Sequence, residues 1–182
     1  MYRKLLLLTF VAALVTVGHA TMIRANDERC VRDLISKWDV AYRALDAKAM
    51  VALETSDFEL VDRFGNWFPQ TSREENERMW AWGFANIYQG KPGPKHTVER
   101  IRFIQPDVAI VQARAYWADV ITLPDGTRVP PHGQITTFVV VKQKEGWRIA
   151  AQNVHNKMQG DGPGERSPAQ LPWNQDGIKQ KK

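Results

Sequence analysis

Cysteine is almost missing from this chain: Cys30 is the single one in 182 residues. No disulfide can form within the chain, and stability has to come from an ordinary apolar core. With no cysteine pair and no glycine-rich dinucleotide fingerprint, neither dithiol nor nicotinamide chemistry has a motif to rest on, and no cofactor is expected. Histidine is scarce as well, with four residues. His132 and His155 could approach across adjacent strands, but no third His, Cys or acid follows at ligand spacing. Zinc takes three or four protein ligands, so no metal is expected.

No apolar run reaches the ~18 residues that a membrane span requires. The longest, Leu5 to Val17, is broken by Thr9 and Thr16. Between Met1-Tyr2-Arg3-Lys4 and the small-x-small sequence Gly18-His19-Ala20, it reads as a secretory signal peptide over 1–20, removed ahead of Thr21. The mature protein is then expected to be secreted or periplasmic, without a membrane partner. The formal charge of +5 is carried largely by the ends, Arg3 and Lys4 on one side and Lys179, Lys181 and Lys182 on the other. With no basic stripe interleaved with aromatics, nucleic acid is not an expected partner. No lipobox precedes Cys30, whose place in the first turn of a helix predicts a partly buried thiol. Residues 21–158 make one domain, and the Gly-, Pro-, Gln- and Lys-rich stretch 159–182 reads as a disordered tail.

What is present is patterned. From Asp27 as N-cap, Val31, Leu34, Ile35, Trp38, Ala41, Tyr42 and Leu45 recur at helical spacing. Asp46 caps a second, short helix from Ala47 to about Leu53. Phe58 to Asp62 reads as a strand, Gly65-Asn66 as a turn and Trp67-Phe68 as a short return. A third helix starts at Thr71 or Ser72 with a capping-box sequence and carries Met79, Trp80, Phe84, Ile87 and Tyr88. After the loop Gly90-Lys91-Pro92-Gly93-Pro94 the period switches to two. Four strands follow as a meander: His96 to Gln105, Val108 to Leu123, Gly133 to Gln143 and Trp147 to Asn156. Helices first and long antiparallel strands afterwards predict an α+β domain with the helices over one face of a curved sheet.

The last strand is the most informative about function. With period two, Trp147, Ile149, Ala151, Asn153 and His155 share one face, apolar at one end and polar at the other, as in the wall of a small-molecule pocket. On the preceding strand His132, Gln134 and Thr136 share a face. Asp62 follows Leu60 and Phe58 by twos.

Several residues together carry a family resemblance. They are Trp38 and Ala41, Leu45-Asp46-Ala47, Pro106-Asp107-Val108-Ala109-Ile110-Val111, and Gly146-Trp147-Arg148-Ile149 with Gln152-Asn153. In that order over Val31 to Asn156 the chain resembles the nuclear transport factor 2-like superfamily, its SnoaL-like branch, and within that the SgcJ/EcaC group. The resemblance implies a cone-shaped α+β fold with N-terminal helices over the concave face, a pocket between them, and commonly a homodimer through the convex face. It does not select a reaction, because the superfamily holds isomerases, cyclases, dehydratases and binding domains.

Within the cone, His155 and Asp62 are the candidate proton-transfer residues: a histidine titrates near neutrality, and a desolvated carboxylate serves as base in the superfamily's ketosteroid isomerase, a worked case of this chemistry. Each also has a bland reading, His155 as a half-exposed strand end and Asp62 as a turn cap. Asp119 is a weaker acidic candidate, and His96, beside Pro94-Lys95, reads as surface. Trp38, Tyr42, Trp80, Phe84, Trp117, His132, Gln134, Thr136, Trp147 and Asn153 are the expected ligand-binding positions, suited to a small hydrophobic or polycyclic ligand. The leading reading is a domain that binds a small, mostly apolar ligand in the cone, with catalysis not assured; the alternatives are a cofactor-independent isomerase, cyclase or dehydratase using His155 or Asp62, and a non-catalytic dimerisation module with a filled cone.

Overall fold

In the computed structural model, residues 24–69 and 72–157 are described. The expected signal peptide and the tail 159–182 lie outside them. The chain opens with α1 (24–43), followed by α2 (Ala47–Val51), β1 (Glu54–Val61), β2 (Trp67–Pro69) and α3 (Arg73–Asn86). Then come β3 (Thr97–Gln105), β4 (Val108–Trp117), β5 (Ile121–Thr122), β6 (Arg128–Val129), β7 (His132–Gln143) and β8 (Gly146–Lys157).

Local chemistry sets the helix starts. Asp46 accepts from Ala49 N at 2.9 Å and caps α2, and Ser72 accepts from Glu75 N at 3.2 Å and caps α3. Asp27 is not the expected cap, because residues 24–26 before it are already helical. It is buried, accepting from Trp147 Nε1 at 3.2 Å and pairing with Lys142 Nζ at 2.6 Å. Cys30 is exposed rather than partly buried, since it falls off the apolar stripe that Val31, Leu34, Ile35 and Trp38 turn inward. No described helix is long and apolar enough to cross a membrane.

Six strands form one sheet in the order β2-β1-β8-β7-β4-β3, and β5 and β6 form a separate two-stranded ribbon. The meander β3-β4-β7-β8 is antiparallel as expected, whereas β1 joins β8 in parallel. The strand expected to run from Val108 to Leu123 ends at Trp117, where Ala118, Asp119 and Val120 turn out to solvent before the ribbon begins. Asp119 therefore does not share the inner face with Ala115 and Trp117.

The helices cover the inner face of the sheet, and α3 packs on α2 and β1. Trp38 is the centre of the core. Fully buried, it stacks on Tyr42 (ring centroids 5.0 Å apart) and meets Phe138, His96 and Trp80 edge-on at 4.9, 5.1 and 6.5 Å. Contacts of this kind add about 0.5–1.5 kcal/mol each beyond the burial of area.

One irregularity decides what lines the cone. Val139 pairs with Ala151 and Val140 with Ile149, so Ala150 is an extra residue in β8. Trp147 and Ile149 face inward before this bulge. After it the parity reverses, and Gln152 and Val154 are the buried residues. Asn153 and His155, expected on the face of Trp147, lie on the opposite face, and His155 is exposed.

Candidate functional site

A cavity of about 100 Å³ lies between the helices and the inner face of β7 and β8. Trp38, Tyr42 and Trp80 wall it from the helices, Leu60 and Val154 from the sheet, and Gln134, Gln152 and His96 supply polar groups. Phe64 and Trp82 also line it and are 48% and 56% exposed, which marks its mouth. Of the expected positions, Trp38, Tyr42, Trp80, Gln134 and Asp62 meet here.

The others do not. Phe84 lies behind, packed on Tyr42, Trp80 and Tyr88. Trp117 donates from Nε1 to Gln134 Oε1 at 2.7 Å and stacks on His132, whose Nδ1 is 2.7 Å from the Pro130 carbonyl oxygen. Thr136 is fully buried on the inner face of β7 without a partner for its hydroxyl. Trp147 closes the far end of the core with Asp27 and Phe103. Asn153 and His155, put outside by the bulge, line a separate groove of about 520 Å³.

Asp62 reaches the cavity wall with both oxygens already engaged. Oδ1 accepts from Phe64 N (2.8 Å) and Asn66 N (2.9 Å), and Oδ2 from Asn66 Nδ2 (3.0 Å). It caps the β1–β2 turn, in which Gly65 takes a φ of +82°.

The group best placed for proton transfer is His96, which the sequence marked as surface. It is 6% exposed. Asp39 Oδ1, on α1, accepts from His96 N at 2.7 Å and lies 3.0 Å from Nδ1. An imidazole donating Nδ1–H to a carboxylate keeps its lone pair on Nε2. That Nε2 is buried without a partner on a ring that lines the cavity. Tyr42 packs edge-on against the ring, centroids 5.2 Å apart.

Tyr42 continues the polar wall. Its hydroxyl is 2.9 Å from that of Tyr88, and Arg63 Nη2 donates to the Tyr88 hydroxyl at 3.4 Å. Burial, and after it Tyr88, hold the Tyr42 phenol well above its ordinary pKa, so it remains a donor at neutral pH. Gly93 is required beside it, because a Cβ there would come within 2.7 Å of the Tyr42 hydroxyl oxygen. The Gly90–Pro94 loop can thus lie over Tyr42 and deliver His96 to Asp39.

A second buried acid lies behind the cavity wall. Glu54 is fully buried, accepts from Asn76 Nδ2, and accepts from Trp80 Nε1 at 3.2 Å. Burial pushes its carboxyl up to about 8 against the pull of these donors. Among the described residues no cluster of His, Cys, Asp and Glu could hold a metal ion.

No protein-family model matches the chain, and no curated protein matches it. Solved structures do. A ketosteroid isomerase-like protein from Erwinia carotovora atroseptica SCRI1043 superposes with a TM-score of 0.59 at 15% identity, over 72% of this chain and 96% of that one. A candidate scytalone dehydratase from Novosphingobium aromaticivorans DSM 12444 gives 0.58 at 13% identity, over 81% and 95%. An NTF-2-like protein of unknown function from Shewanella oneidensis MR-1 gives 0.53 at 16%, over 70% and 98%. The chain has the nuclear transport factor 2-like fold.

Proposed function

We propose that this protein is a cofactor-independent proton-transfer enzyme of the isomerase or dehydratase kind, with His96 rather than His155 or Asp62 as its base. The observation that carries this reading is a histidine oriented by a buried carboxylate, with its other nitrogen unpaired, on the wall of an aromatic cavity. His96 Nε2 takes a proton from carbon next to a carbonyl. Of the paired Tyr42 and Tyr88 hydroxyls, one donates to the other and the second donates to the oxygen as it becomes an enolate, while Asp39 stabilises the imidazolium. The proton then returns to a different carbon, giving an isomer, or to a departing hydroxyl, giving water. The fold is compatible with both, as neighbours named for an isomerase and a dehydratase suggest.

A cavity of about 100 Å³ has room for no more than one ring. An apolar cavity of roughly 150 Å³ accepts benzene. The substrate in this reading is therefore monocyclic rather than polycyclic. A dimerisation module with a filled cone predicts no cavity, which disfavours that alternative. We place the chain in the SnoaL-like branch, SgcJ/EcaC group, as an exported protein whose signal peptide 1–20 is removed, and as a homodimer through the convex sheet face.

The test uses 3-cyclohexenone, whose isomerisation to the conjugated 2-enone moves one proton from C2 to C4 and is followed by ultraviolet absorbance. The wild-type protein is expected to catalyse it, and His96→Ala to lower the rate by a factor of about 100 or more. A His96→Ala variant as active as the wild type rules out His96 as the base.

A further inference from the structure

We infer that the substrate is a ring-bearing carboxylic acid, and that Arg63 selects it by pairing with the carboxylate. The inference rests on the cavity being the substrate site and adds the chemical class of what enters it.

Arg63 follows β1 in the turn that Asp62 caps. A guanidinium carries five N–H donors in a rigid fork and is always charged. Here its carbon centre lies 4.8 Å from the centroid of the Trp117 ring, and Nη2 donates to Tyr88 over a long 3.4 Å. Nη1 is buried with no acceptor. Among the described residues no carboxylate pairs with it. Asp62, next to it in the chain, has its oxygens occupied by the backbone of the turn and by Asn66. Arg63 as a whole is half-buried, but the N–H groups of Nη1, withdrawn from water and unpaired, carry a cost that an arriving acceptor relieves.

Arg63 also has the right position. It lines the aromatic cavity and, equally, the groove of about 520 Å³ beyond the mouth, so it forms the wall they share. The groove carries a second cation, Arg128, with Asn153, His155 and Asn156 around it. A ring in the cavity thus meets a guanidinium and the His96 imidazole in the same lining. A planar fork facing a planar two-oxygen group is the bidentate match that favours carboxylate over a neutral amide.

The probe pair is benzoate and benzamide, alike in shape and different in charge, titrated by tryptophan fluorescence. The wild type is expected to bind benzoate at least about tenfold more tightly than benzamide. Arg63→Met is expected to remove that preference by weakening benzoate alone, and Arg63→Lys to retain part of it. Inorganic phosphate, a charge without a ring, is expected to compete only weakly. The inference is overturned if benzamide binds as well as benzoate, if benzoate fails to bind at about 10 mM, or if phosphate displaces benzoate at equal concentration. It is also overturned if folded Arg63→Met, or Arg63→Lys should the former not fold, leaves the wild-type preference unchanged. His96→Asn is expected to keep the benzoate preference. Loss of enone isomerisation with the preference intact, or the converse, separates failure of the base from failure of acid recognition.

Discussion

Glu54 is the residue whose environment departs furthest from what its neighbours in the sequence suggest. Its carboxyl, ordinarily near 4.5, is held at about 8 by burial. Between those values the folded chain keeps a proton that the unfolded chain releases. Stability contributed at this site is therefore greatest below about pH 4.5 and declines as pH rises, by roughly 1.4 kcal/mol per unit, until it levels off above about 8. Glu54→Gln has no proton to lose, and its amide can donate to Asn76 Oδ1, which is buried without a partner. Denaturant unfolding at about pH 5 and pH 8 is expected to show the wild type losing stability relative to Glu54→Gln as pH rises; parallel behaviour would show that Glu54 ionises normally. Neither Glu54 nor the Asp39–His96 pair was legible in the sequence. Asp39 borders the apolar stripe of α1, which hints at a buried acid, but its partner lies fifty-seven positions away, across a loop whose path no local pattern fixes.

At the scale of elements, period and punctuation were informative. The helix stripes, the caps of α2 and α3 though not that of α1, the β1–β2 turn and the antiparallel meander follow from side-chain spacing and turn residues. Parity within β8 did not, and the reason lies in Ile149-Ala150-Ala151. Two adjacent alanines are small enough for either face, so a period-two reading passes through the bulge without a mismatch. Everything inferred for Asn153 and His155 depended on that parity. Deleting Ala150 is expected to remove the extra residue and leave Gln152 and Val154 inside, because Val140–Ile149 and Val139–Ala151 then become consecutive pairs of a regular ladder. The loss should be about 1 kcal/mol, that of a typical point change, read as a small fall in the melting temperature. Ala150→Ser, which keeps the bulge, is expected to stay within about 0.5 kcal/mol of wild type. A deletion that unfolds the domain would show that Ala150 is not the extra residue.

For the whole molecule, the convex face carries the open question of assembly. Tyr116 on β4 and Ile135 on β7 are 63% and 43% exposed, two positions apart in the β4–β7 register and on one face, where Arg114 faces Ile135 and Tyr116 faces Gly133. Large apolar side chains adjacent on a sheet face suit a self-complementary contact. Sedimentation of residues 21–182 is expected to give a dimer at micromolar concentration and a monomer for Ile135→Lys. A wild-type monomer would remove the convex-face interface.

The parallel pairing of β1 with β8 sets the order in which this domain can form. The strand nearest the beginning of the sheet is completed by the strand nearest its end, so the β1–β2 corner has no neighbour until nearly every residue of the domain is available. Contacts this distant in sequence make folding slow. During synthesis the helices and the β3-β4-β7 part of the sheet can form first, while β1 and β2 wait for their seat. A shortened copy that ends before β8 can never seal its own corner.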